Sequence, residues 1–243
     1  MPLSAHKLRL IHLLHETGAL QFGTFTLKSG RVSPYFFNAR LFNTGPWLAE
    51  LSQHYARAIR KTAPRATIVF GPAYAGISLA VATAMALSRG KRSAGFLFNR
   101  KEAKTHGDQG MFVGHPPVRG DRLVLVDDVI TDGGTKREAV ALLKSAFPST
   151  PIDALVIAFD RQERDQEGGN ALERFQQATG IPVVALLTLD ELISALVGPG
   201  QSGSASRKRM PRLTQAQQSA LLDYRAQYGV SVIAAKRRRQ GSR

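Results

Sequence analysis

The chain has 243 residues, 43% of them hydrophobic, no cysteine and a formal net charge of +15. That length accommodates one substantial α/β core without requiring a second, and the missing cysteines exclude disulfides and thiolate metal sites. No apolar run reaches the roughly 18 to 20 residues of a membrane span, and MPLSAHKLRL at the start lacks the apolar stretch of a secretory signal, so the expected compartment is the cytoplasm and no membrane partner is expected. The charge is uneven: residues 201–243 hold ten Lys/Arg against one acid, Asp223. The excess therefore sits in a tail that reads as a solvated end rather than a nucleic-acid face, and the remainder is moderately basic, as suits a polyanionic small substrate.

Residues 6–17, HKLRLIHLLHET, space Leu10, Leu13 and Leu14 as a helix, with Gly18 as its C-terminal stop. The aromatic and β-branched stretch 22–38, broken by Ser-Gly and Ser-Pro, reads as strands and turns. A second helix over 46–61 opens at Thr44 and Pro46 and turns Leu48, Leu51, Tyr55 and Ile59 inward. From there the pattern alternates between strand and helix: TIVFG (67–71) and an Ala-rich helix to about Leu87; AGFLFN (94–99) and a polar stretch over 100–114; RLVLVDD (122–128) and a helix over about 135–146; DALVIAFD (153–160), a polar loop and a helix over 171–179; IPVVALL (181–187) and a short helix over 190–197. Strands apolar on both faces that alternate with helices predict a mostly parallel sheet covered on both sides. GPGQSGSASRKR (198–209) has linker composition, 213–228 regains helical period, and the last residues should fray.

The segment with the most chemistry is VLVDDVITDGGT, Val124 to Thr135. A buried strand delivers Asp127 and Asp128 to its carboxyl end, the edge where open α/β sheets bind ligands. Gly133 and Gly134 let the backbone turn tightly and present N–H groups, Thr131 and Thr135 add hydroxyls, and the following helix directs its positive end to the same place: a phosphate cradle. Carboxylates repel phosphate, so the acid pair suits sugar hydroxyls or a hard cation such as Mg²⁺. A phosphate pocket beside a diol or metal pocket describes a sugar phosphate. No Lys-Ser/Thr follows the glycines and no G-x-G-x-x-G is present, which excludes a P-loop and a dinucleotide fingerprint.

VLVDDVITDGGT resembles the signature of type I phosphoribosyltransferases, which bind PRPP (5-phosphoribosyl 1-diphosphate). The resemblance implies that residues 127–135, Val129, Ile130 and Asp132 among them, hold the ribose hydroxyls and the 5′-phosphate. FTLKSGRVSPYFFN (25–38), GPAYAGI (71–77), FNRKEAKTHG (98–107), DRQER (160–164) and ALLDYRAQYGV (220–230) are similar, in order and spacing, to orotate phosphoribosyltransferases. That family implies an α/β fold of type I with a small N-terminal hood over residues 1–45, a PRPP-binding core over 46–197, a linker over 198–212, a C-terminal helix over 213–230 packed on the core, and a basic tail over 231–243. It also implies roles. Phe36 and Phe37 would contact the pyrimidine, Lys28 would reach both substrates from the hood, and Arg161 would pair with the orotate carboxylate, where a guanidinium fork fits best. Thr131 would meet orotate as well as the phosphate loop, and Tyr74 would lie against pyrophosphate or ribose. Arg100, Lys101, Lys104 and His106 would form a lid over the pyrophosphate, with Lys101 supplied across a homodimer interface, and would act as the catalytic cations beside Asp127 and Asp128. Mg²⁺ would be held mainly by PRPP, with Asp127 and Asp128 as candidate protein ligands.

Ala75 departs from the family pattern, because many members carry a pyrophosphate-contacting lysine at that position; weaker PRPP binding is expected. The 198–209 insertion is a second departure. Two competing readings share the PRPP loop: a type I transferase for a purine or uracil, against which Lys28, Phe36, Phe37 and Arg161 weigh, and a PRPP-sensing regulator that binds nucleic acid, against which the intact lid residues weigh.

Overall fold

Runs such as LVLV and ALVIAF are apolar at every position, and they are stable only with both faces covered. In the computed structural model, which describes residues 3–27, 29–89, 93–104, 110–130, 133–164, 168–197 and 211–230, these runs form the middle of a six-stranded sheet. The chain first forms helix α1 (Ala5–Glu16) and the antiparallel pair β1 (Leu20–Thr26) and β2 (Val32–Phe37), which is the hood. Helix α2 (Gly45–Thr62) follows, then β3 (Ile68–Gly71), α3 (Ala75–Leu87), β4 (Gly95–Lys104), β5 (Gly110–Gly114), β6 (Leu123–Val129), α4 (Gly134–Ala146), β7 (Ile152–Asp160), α5 (Ala171–Thr179), β8 (Val183–Thr188), α6 (Leu189–Leu196) and α7 (Gln215–Tyr228). The spatial order is β5-β4-β3-β6-β7-β8, parallel throughout except for the edge strand β5.

The period of two divides each central strand between two cores. Val69, Val124, Val126, Ala154 and Val156 pack with α1, α2 and α3, whereas Ile68, Phe70, Leu123, Leu125, Leu155 and Ile157 pack with α4 and α5. The N-terminal helix contributes Leu10, Ile11, Leu13 and Leu14 to the first of these cores, so it is built into the main body of the protein. Helix α7 docks through buried Leu221 and Tyr224, and Arg225 grips Asp190 of α6 with Nε–Oδ1 at 2.6 Å and Nη2–Oδ2 at 2.9 Å.

The polar stretch 100–114 differs from its expected form. Strand β4 runs on to Lys104, and residues 110–114 return antiparallel as β5. An edge hairpin is held by backbone pairing and can face water on one side, so it needs no continuous apolar run and leaves little pattern to read. Phe112 of β5 is its anchor, with ring centroids 6.3 Å from Phe70 and 5.0 Å from Phe147.

His54 of α2 is 2% exposed, and its Nδ1 lies 3.1 Å from Nε2 of His6 on α1. Burial, with His6, Arg9 and Arg57 nearby, pushes its pKa down to about 3. A histidine held neutral in the fold takes up its proton more readily in the unfolded chain, so stability is lost as pH falls below about 6.5 and the loss continues toward pH 3. His54→Asn, which keeps a polar atom near the Nδ1 position, should flatten the acid side of the stability–pH curve by on the order of 1 kcal/mol per pH unit between pH 6 and 4. Denaturant titrations across that range check it; parallel curves for the two proteins would contradict it.

Candidate functional site

The sheet order reverses direction between β3 and β6. From β3 the chain crosses to β4 on one side, and β6 begins the other side. Open α/β sheets bind ligands in the crevice at the carboxyl ends of such a pair, where the flanking loops splay apart. Four strand ends line this edge in the order β4, β3, β6, β7, and they carry in turn Arg100 and Lys101, the 72–74 turn, the acid pair, and Arg161.

After β3 the backbone doubles back so tightly that a Cβ on Gly71 would lie 1.9 Å from the carbonyl oxygen of Gly76. Only glycine fits, and the close approach seats the first turn of α3 on the strand end. The Ala73 N–H donates to Asn99 Oδ1 at 3.1 Å, which ties this turn to β4. Tyr74 stands at the helix start 74% exposed, and Ala75, the first residue of α3, is exposed beside it.

Strand β6 ends on Asp127, 4% exposed, and the half-buried Asp128. Burial pushes the Asp127 carboxyl up, and Lys136 opposes this with Nζ 2.7 Å from Oδ2, an ion pair whose side chains are 13% and 6% exposed. The Asp128 N–H donates to Asp127 Oδ1 at 2.9 Å and the Val129 N–H to Asp128 Oδ1 at 2.7 Å, so each carboxylate is oriented by the next amide. Buried Tyr55 donates its hydroxyl to the Asp127 carbonyl at 2.7 Å and fixes the strand end from below. Helix α4 starts at Gly134 behind Gly133, whose φ of +77° suits a residue without a side chain. Thr135 is exposed on the first turn, and the positive end of the helix faces the acid edge.

The other sequence-predicted residues divide into three groups. Ile130 is 6% exposed in the core and half-buried Val129 packs on the opposite core, so a ligand meets their backbone rather than their side chains. Phe36 and Phe37 are consecutive on β2, and their rings therefore point to opposite faces. Phe37 is 9% exposed and stacks on Phe159 at 5.5 Å, so its ring belongs to the core. Phe36, 36% exposed and stacked on Phe25 at 5.5 Å, is the one of the two that offers a ring surface. On the hairpin, Lys101 is exposed and Arg100 Nη1 donates to the Gly110 carbonyl at 2.8 Å. Lys28, His106, Thr131, Asp132 and the side chain of Lys104 lie outside the described residues.

Arg161, two residues past Phe159, follows the end of β7, whose Phe159 pairs in register with Val129. Its guanidinium carbon sits 4.4 Å from the centroid of the Tyr35 ring on β2, which brings hood and sheet edge together on one cation. Three residues of this region were given no role of their own by the sequence: Lys136, and Glu163 and Tyr224, which entered only as members of DRQER and ALLDYRAQYGV. The available signal was Lys136 itself, a cation in the first turn of a helix, where the dipole disfavours it unless an anion is close.

A model of the phosphoribosyl transferase domain matches residues 42–183. The orotate phosphoribosyltransferase of Chromohalobacter salexigens is 42% identical over 94% of this chain and 97% of its own length. The chain belongs to the orotate phosphoribosyltransferase family. The family's enzyme from Methylococcus capsulatus is 46% identical over 87% of this chain and 92% of its own. A crystal structure of the family's member from Francisella tularensis superposes with a TM-score of 0.75 at 33% identity, covering 91% of this chain and all of that one. Hood and C-terminal helix lie partly or wholly outside the matched domain, and the full-length likeness to family members extends over them.

Lys136→Met keeps the stem of the side chain and removes the charge that balances Asp127. Breaking a buried pair in this way should lower stability by about 3 kcal/mol at pH 7. The Asp127 carboxyl, raised already, would rise further above its unfolded value, and a raised carboxyl destabilises only where it is ionised. The deficit should therefore shrink as pH falls toward 4. Denaturant midpoints at pH 7 and pH 4.5 check it; an equal deficit at both would contradict the assignment.

Proposed function

We propose that this chain transfers the 5-phosphoribosyl group of PRPP to orotate, giving orotidine 5′-phosphate and pyrophosphate in pyrimidine biosynthesis. The observation that carries the reading is the adjacency, on one sheet edge, of a carboxylate pair with a glycine-led helix start and of a fixed guanidinium. The first suits a ribose phosphate and the second a ring that bears a carboxylate. In this reading Asp127 and Asp128 accept from the ribose hydroxyls, and the backbone over 131–135 with Thr135 holds the 5′-phosphate. Phe36 lies against the pyrimidine and Arg161 pairs with its carboxylate. Tyr74 and Lys28 border the diphosphate and ribose.

The anomeric carbon–oxygen bond breaks and its electron pair leaves with pyrophosphate, while a ring nitrogen of orotate bonds to that carbon and its proton passes to solvent. The carboxylates temper the positive charge growing on the ribose. Arg100, Lys101, Lys104 and His106 neutralise the departing diphosphate, and closure of the hairpin over it excludes water. His106 serves as a charge before it serves as an acid. Two carboxylates, one already paired with Lys136, make a thin resident metal site, and among the described residues no three acid or histidine side chains converge. They fit Mg²⁺ brought in on the diphosphate, where the ion adds charge neutralisation. In this reading the protein is a homodimer, and Lys101, exposed on β4, serves the partner's site. No helix among the described residues is long and apolar enough to cross a membrane.

Orotate absorbance should fall on addition of PRPP and Mg²⁺, with pyrophosphate appearing in equal amount; no change with orotate, but turnover with uracil or a purine, would replace orotate as the substrate. Arg161→Met should raise the orotate KM by about 10- to 100-fold, the scale of lost charge-assisted hydrogen bonds, and move the PRPP KM little. Equal losses for both substrates would contradict the role. Ala75→Lys places a cation at an exposed helix start beside Tyr74 and should lower the PRPP KM by about threefold to tenfold without shifting that for orotate. An unmoved PRPP KM would show that the position does not contact the diphosphate.

A further inference from the structure

Arg161 has an anionic partner built into its own loop. Gln162 adopts a φ of +51°, a left-handed conformation uncommon for a residue with a side chain, and beyond it Glu163 turns back against Arg161. Glu163 Oε1 accepts from both Nε and Nη2 of Arg161 at 2.7 Å, and both side chains are 14% exposed. The same oxygen accepts the Tyr224 hydroxyl at 2.9 Å and the Tyr35 hydroxyl at 3.2 Å. Arg161 Nη2 is also within reach of Ser33 Oγ at 3.2 Å and Tyr224 Oη at 3.4 Å. These contacts take up Nε and Nη2, whose two N–H groups have three acceptors within reach. Among the described residues none engages Nη1, so the Nη1 end of the guanidinium is the one left for an incoming carboxylate.

The loop that carries this pair is clasped by the C-terminal helix. The Val230 N–H donates to the Gln162 carbonyl at 2.9 Å and the Arg164 N–H to the Tyr228 carbonyl at 2.8 Å. Arg31 of the hood donates to the Arg164 carbonyl at 2.6 Å and lies 4.9 Å from the Tyr228 ring centroid. Hood, β7 loop and α7 thus converge on one carboxylate.

We propose that Glu163, held by Tyr35 and Tyr224, is the positioning residue of the orotate subsite: it holds Nε and Nη2 of Arg161 and thereby aims the Nη1 end at the substrate's carboxylate, so that α7 takes part in substrate selection. The proposal rests on the orotate reading above. Charge alone predicts the opposite effect, since removing a negative group beside Arg161 would favour an anion. The direction of the change therefore separates aiming from simple electrostatics.

The test is Glu163→Gln, which keeps the shape, together with Tyr224→Phe, which keeps the ring and removes one hydroxyl, both assayed beside the unaltered protein with orotate and PRPP varied in turn. Glu163→Gln should raise the orotate KM by about tenfold and Tyr224→Phe by about threefold, with kcat and the PRPP KM within about twofold in each. An unmoved or lowered orotate KM in Glu163→Gln, or an equal rise for both substrates in both variants, would overturn the proposal. Should Glu163→Gln fold poorly, Tyr224→Phe decides alone by the same split. Failure of the unaltered protein to consume orotate would instead overturn the functional reading, and this proposal with it.

Discussion

Asp127 is a carboxylate with 4% of its surface exposed, placed at the tip of a strand that is otherwise buried hydrocarbon. Burial there works against its charge, and the ammonium of Lys136 at 2.7 Å works for it. The pair sets where α4 begins relative to β6, because Lys136 belongs to the first turn of that helix. Strand tip, glycine turn and helix start are thereby locked into one unit. A ribose hydroxyl and a phosphate several ångströms away can be met together only if that unit keeps its shape. Tyr55, reaching the Asp127 carbonyl from α2, adds a third element to the lock.

Arg161 obeys the same rule with the signs reversed. A guanidinium largely withdrawn from water needs an anion, and Glu163 provides one. The two sites differ in what supports them. The acid pair is assembled from consecutive elements, β6 and α4, whereas the guanidinium is assembled from the hood, the loop after β7, and a helix that lies beyond a segment of linker composition. The loop that carries Arg161 lies inside the matched domain, over 42–183, whereas part of the hood and all of α7, which hold that loop, lie outside it.

Legibility in the sequence followed the same division. Strands β3, β6 and β7 could be read because burial on both faces imposes runs of Val, Leu and Ile that few other structures tolerate. The acid pair and glycine turn could be read because each residue type there answers a local demand. The β4–β5 hairpin could not, since it is an edge pairing held by backbone hydrogen bonds and residues 100–114 carry no apolar alternation. Phe36 and Phe37 look alike in sequence, yet the strand period sends one ring to the surface and the other onto Phe159. Glu163 and Tyr224 are 61 positions apart, and only the docking of α7 by Leu221 and the Arg225–Asp190 pair makes them neighbours.

The two fixed pairs also determine how this site can attract its substrates. Asp127 is balanced by Lys136 and Arg161 by Glu163, so neither pair adds net charge to the floor of the crevice, and Asp128 leaves it a carboxylate. Such a floor exerts little long-range pull on an anion; it discriminates by geometry once a ligand has arrived. Attraction at range then falls to the cationic hairpin with exposed Lys101 at the sheet edge, and to the positive end of α4. The division is a useful one for a transferase with two anionic substrates. A floor of uncompensated cations would hold pyrophosphate as firmly as PRPP and slow its release.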